Sequence, residues 1–131
     1  MYVGKLKDRA ASAKIGLEKA DRAFLGFCNI FNNGRIAKSP LTDSIYPGTR
    51  AALFDSITEI AVSSNSFPHA DTIMLSANEI SKMKTYFEKA YRIGAENPQE
   101  LITKLECLKQ EFARFKTAVS SACTEIAKSQ I

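Results

Sequence analysis

Apolar residues recur along this chain in alternating steps of three and four, the spacing that puts side chains on one face of an α-helix. In the first such run Leu6, Ala10, Ala13, Leu17, Ala20, Phe24, Phe27 and Phe31 share a face, and Asn32-Asn33-Gly34 supplies a left-handed stop. The last run mirrors it, with Leu101, Leu105, Leu108, Phe112, Phe115, Val119, Ala122 and Ile126 in the same alternation. Its start is well marked: Asn97 can cap, Pro98 suits the first helical position and Glu100 falls at the third.

Two shorter runs lie between them. Leu53, Ile57, Ile60 and Ser64 line a helix expected from about Thr49 to Asn65, with Phe54 and Ala61 widening the stripe. Ile80, Met83, Phe87, Ala90 and Tyr91 line another, and Ser76-Ala77-Asn78-Glu79 fits the capping box that would begin it. Residues 35 to 48 and 66 to 75 then read as long connections. In them Ile36, Leu41, Ile45 and Tyr46 are expected to lid one end of the core, and Phe67, Ile73 and Leu75 the other. Four amphipathic stripes in one chain can bury one another only as a bundle. The expected fold is therefore all-α: one domain over 1–131, an antiparallel up-down-up-down four-helix bundle with long first and last helices.

Composition agrees with that fold. A chain of 131 residues with 45% apolar and 24% charged residues is ordinary for a globular domain and can build a core without staples. Cys28, Cys107 and Cys123 are odd in number, lack a C-x-x-C spacing and sit inside helical patterns. A reducing, cytoplasmic setting is the simpler expectation. No secretory signal pattern and no run of 18 apolar residues is visible, so no membrane segment is expected.

Most catalytic templates fail on residue types alone. A di-iron or di-manganese bundle needs inward glutamates and two Glu-x-x-His pairs, whereas this chain has one histidine and its glutamates lie off the apolar stripes. His69, in Phe67-Pro68-His69-Ala70-Asp71, lacks a helical partner at i+4 and a nearby cysteine, and reads as a solvated or capping residue. The preceding proline also argues against the exposed mid-helix histidine of a phosphotransfer bundle. Cys28 and Cys123 project near the apolar stripes as small core fillers, while Cys107 falls off its stripe. The six glycines match no phosphate loop. No catalytic residue, cofactor or metal is expected, and the chain reads as a protein other than an enzyme.

The net charge of +4 is unevenly spread. Residues 1 to 22 carry six basic and three acidic groups, whereas residues 51 to 78 carry no lysine or arginine and three acidic groups. An antiparallel bundle is expected to gather Lys5, Lys7, Arg9, Lys82 and Lys84 toward one pole and Arg35, Lys38 and Arg50 toward the other. Around the first helix the cations form no stripe, and Glu18 is placed to pair with Arg22 at i+4. A solvated face explains this pattern better than a nucleic-acid footprint.

Apolar residues where the core does not need them carry more information. Ile15 points away from the stripe of the first helix, Val62 does the same on the second, and Leu25 and Ile30 lie outside the main stripe of a segment apolar nearly all round. Two readings follow. The first is a non-enzymatic protein-binding module, acting as an adaptor, inhibitor, immunity-type or assembly protein, whose interface with another protein or with itself includes Ile15, Leu25, Ile30 and Val62. The second is a helical subunit that rides on nucleic-acid backbone through Lys5, Lys7, Arg9, Lys82, Lys84, Arg35, Lys38 and Arg50.

Overall fold

A computed structural model describes residues Val3–Ser129. Four α-helices follow one another: α1, Val3–Ile30; α2, Pro40–Ser63; α3, Ala70–Ile93; and α4, Pro98–Lys128. α1 packs on α2 and α4, and α3 packs on α4 and α2, which closes the antiparallel four-helix bundle. No strand occurs among the described residues.

Each end has a local cause. Asn33 and Gly34 adopt left-handed backbone at φ 54° and 73°, which stops the chain after α1 as the Asn-Asn-Gly run predicts. The chain then doubles back, and Ala37 N–H donates to the Ile30 carbonyl at 2.8 Å. Ser39 caps α2, its Oγ accepting from Thr42 N–H at 3.1 Å, with Pro40 at the first helical position. α4 begins as its sequence predicts: Asn97 Oδ1 accepts from Gln99 N–H at 2.9 Å and Pro98 follows.

The inner helices are longer than the sequence predicts. α2 begins at Pro40 and runs straight through Pro47-Gly48, the pair that reads as a boundary. The missing Pro47 N–H is tolerated because the ring stands on the exposed side while Tyr46, next to it, is buried at 3% exposure. α3 begins at Ala70, so the Ser76-to-Glu79 box starts nothing; Ser76 is buried mid-helix. His69 ends the preceding connection in left-handed backbone at φ 62°.

The core follows the stripes closely. All eight α4 stripe residues are buried, as are six of the α1 set, with Leu6 and Phe24 packed against them. Phe27 is enclosed by Phe31, Phe54 and Phe87, with ring centroids 4.9, 5.5 and 5.2 Å away. Phe67 and Ile73 do close the core as expected, but Leu41, Ile45 and Leu75 are exposed at 73, 50 and 64%. The reason is helical geometry. Once residues 40 to 48 and 70 to 75 join helices, their outward positions are fixed by the turn, and Tyr46 and Ile73 take the inward ones.

Candidate interaction surfaces

Of the four expected interface residues, three lie open and one does not. Ile15, Leu25 and Val62 are 68, 65 and 64% exposed. Ile30 is 5% exposed, because it ends α1 where the chain folds back and it joins the buried core. An accessible face around Leu25 and Ile30 therefore does not exist. Leu25 stands alone on the flank of α1 that turns toward α4, one turn from Asp21, whose carboxylate meets Lys116 Nζ at 2.8 Å.

Ile15 and Val62 instead belong together. A Cβ added to Gly16 would meet Ile60 Cγ1 at 3.2 Å, and one on Gly26 would meet Thr49 Cγ2 at 3.6 Å. Gly16 thus lies against Ile60 and Gly26 against Thr49, an antiparallel register that puts Ile15 about level with Val62. A shallow groove runs between the two helices on the outer side. Lys19, Arg22 and Ala23 form one bank, and Ser44, Ile45, Gly48, Ala52, Asp55 and Glu59 form the other. Exposed Ile45 stands at one end of this outer face, and Ile15 with Val62 at the other. Sequence reasoning missed Ile45 because it placed residues 35 to 48 in a loop.

A second feature went unread. The rings of Tyr46 on α2 and Tyr91 on α3 stack, and each hydroxyl donates to a carboxylate on the opposite helix: Tyr46 to Glu88 at 3.3 Å, Tyr91 to Asp43. Each carboxylate also holds a cation. Glu88 Oε1 lies 2.6 Å from Arg50 Nη1, and Asp43 Oδ1 lies 3.4 Å from Lys38 Nζ. The bond from Tyr91, with Lys38 beside it, holds the Asp43 carboxyl below its ordinary range, and the bond to Glu88 pushes Arg50 up. Burial followed by the Asp43 bond pushes Tyr91 up to about 12, and burial with the Glu88 charge pushes Tyr46 up as well. Both phenols thus stay protonated as donors at neutral pH. The signal was present as a repeated spacing, Asp43-x-x-Tyr46 and Glu88-x-x-Tyr91.

The basic residues do not assemble as expected. Since α3 starts at Ala70, Lys82 and Lys84 fall near its middle instead of joining Lys5, Lys7 and Arg9 at a pole. Lys82 pairs with Glu79 at 3.0 Å. At the other pole Arg50 is engaged by Glu88, and Lys38 donates to the Tyr91 carbonyl at 3.2 Å and lies 4.1 Å from its ring centre. Arg35 is exposed just beyond the Asn-Asn-Gly turn. Lys7 and Lys14 rim a cleft floored by Ala10, Ala11, Cys123 and Ile126. The i+4 pair expected of Glu18 and Arg22 is not among the salt bridges of the described residues.

His69 Nε2 lies 2.9 Å from Glu125 Oε2, both side chains about half exposed, at the start of α3 and the end of α4. Burial pushes the Cys28 thiol up to about 11 and raises that of Cys123, which donates to the Ala10 carbonyl at 3.5 Å; Cys107 is exposed. Among the described residues no group of three or more His, Cys, Asp or Glu side chains is placed to hold a metal ion, and no helix is long and apolar enough to cross a membrane. No family model, curated protein or solved structure matches this chain.

Proposed function

We propose that this chain is a non-enzymatic protein-binding module of the adaptor, inhibitor, immunity or assembly type, acting through the outer surfaces of its helices. The observation that carries this reading is the exposure of Ile15, Val62 and Ile45 on the outer side of α1 and α2, where Ile45 lines the groove and Ile15 and Val62 fall on the same helix faces as Lys19 and Asp55, which also line it. The core is already closed by the inward stripes, and these side chains keep half or more of their apolar surface in water, where another surface could cover it. Leu25 extends the same logic to the α4 side.

The alternative, a subunit binding nucleic-acid backbone, draws on the cations of α1 but loses Lys38 and Arg50 to internal pairs and Lys82 and Lys84 to mid-helix positions. A salt series with short labelled RNA and DNA separates the two readings. The protein-binding reading expects no submicromolar binding at physiological salt. Affinity in that range, falling with a log-log slope of about 0.9 per phosphate contact on duplex DNA, would replace it with the nucleic-acid reading.

A further inference from the structure

The banks of the α1–α2 groove carry opposite charge. Lys19 and Arg22 stand on the α1 bank, Asp55 and Glu59 on the α2 bank, and all four side chains are exposed. No salt bridge of the described residues crosses between the banks or engages any of the four. The register in which Gly16 lies against Ile60 and Gly26 against Thr49 gives their heights. Lys19 stands between Asp55 and Glu59 in height, Arg22 stands beside Asp55, and Ile15 stands beside Val62.

We infer that this face pairs with the same face of a second copy of the chain, about a two-fold axis parallel to α1 and α2. This rests on the protein-binding reading and names its partner. Rotation about such an axis lays α1 of one protomer over α2 of the other without changing heights. Lys19 then meets Asp55 and Glu59 of the other protomer, Arg22 meets Asp55, and Ile15 meets Val62, each contact occurring twice. A two-fold axis across the helices would instead lay α1 on α1 and α2 on α2, cations against cations and anions against anions. The charge pattern selects the first arrangement. At Gly48, where an added Cβ would touch nothing within 4 Å, no side chain holds the partner off. Two adjacent helices present a face about 20 Å wide, and the 24 residues of α2 run about 36 Å, which gives roughly 700 Å². That is close to the ~800 Å² per partner of a standard specific interface.

Sedimentation equilibrium on the full chain tests this with two double variants, Lys19→Glu with Arg22→Glu and Asp55→Lys with Glu59→Lys. The wild type is expected to dimerise, and each variant alone to weaken its dimer about a hundredfold while keeping wild-type helicity by circular dichroism. Mixed in equal amounts the two variants are expected to recover the dimer, since both halves of the mixed interface again join opposite charges. A wild type monomeric at roughly 0.5 mM, variants that dimerise unchanged, or a mixture that stays monomeric would each overturn the proposal. A monomeric wild type leaves the protein-binding reading standing. That reading fails separately, if surface variants at Ile15, Leu25 and Val62 leave capture of every partner unchanged.

Discussion

The rings of Tyr46 and Tyr91 lie face to face, their centroids 3.9 Å apart and their planes 7° from parallel. Each hydroxyl reaches the carboxylate three residues before the other tyrosine, so α2 and α3 are clasped by two crossed bonds. The clasp sits at the end of the bundle where α2 begins, and it anchors the stretch that carries Pro47 and the exposed Ile45.

This clasp makes stability depend on pH at both extremes. The Asp43 carboxyl is held below its ordinary value, so its contribution is present above about pH 4 and is lost as pH falls through the lower folded value. Tyr91 is raised from 10.0 to about 12, so its contribution is full below pH 10 and is lost as pH rises through 12. Tyr91→Phe removes the larger cause of the first, leaving Lys38, and the whole of the second. Denaturant melts across pH are expected to show shallower acid and alkaline limbs in this variant, with part of the alkaline limb kept by Tyr46. Limbs of unchanged depth would mean that the bond to Asp43 does not persist in solution.

Pro47 stands at the eighth position of α2, where it cannot donate to the Asp43 carbonyl. Restoring that donor with Pro47→Ala is expected to stabilise the fold by about 1–2 kcal/mol, after allowing for the looser unfolded chain. Thermal unfolding reads this as a Tm higher by several degrees. A lower Tm would place the start of α2 after Pro47.

Gly34 combines a left-handed φ of 73° with a tight approach to the start of α4. A Cβ there would stand 3.0 Å from the Pro98 carbonyl oxygen and 3.2 Å from Pro98 Cβ. Gly34→Ala is expected to cost about 1–3 kcal/mol, since the backbone strain and the contact act together. Chemical denaturation measures it, and a neutral result would mean that the turn and α4 do not pack as described.

Leu25 and Ile30 are five residues apart on α1 yet opposite in burial, 65 against 5%. Leu25→Asp is therefore expected to change stability by less than about 0.5 kcal/mol, whereas Ile30→Asp buries a carboxylate in the core and costs about 4 kcal/mol or more. Circular dichroism melts of the two variants side by side check the contrast. Equal effects would contradict the fold-back of the chain over the end of α1.

The outer helices were legible in the sequence because long stripes with strong caps leave little choice: Asn32-Asn33-Gly34 and Asn97-Pro98 stop and start the chain where they stand. The inner helices were misjudged at their starts, for two physical reasons. Pro47-Gly48 and Pro68-His69 carry local breaking signals, and the first was overridden by the anchoring of Tyr46 against α3. The second does stand at the boundary, with His69 in the left-handed position just before α3, but the Ser76-to-Glu79 box, which reads as the start, lies six residues inside the helix. The error at the start of α2 also hid the candidate interaction face. With residues 40 to 48 in a loop, Ile45 had no outward direction and the groove beside Lys19 and Arg22 had no second bank.

The central claim is that the outward apolar side chains of α1 and α2 are covered by protein. Cross-linked capture with the wild type and with Ile15→Asp, Leu25→Asp and Val62→Asp variants tests it most directly, with untagged copies of the chain counted among the partners. The expected result is one or more proteins, the chain itself included, that the wild type holds and at least one variant loses at unchanged helicity. Identical capture by the wild type and all three variants would contradict the claim.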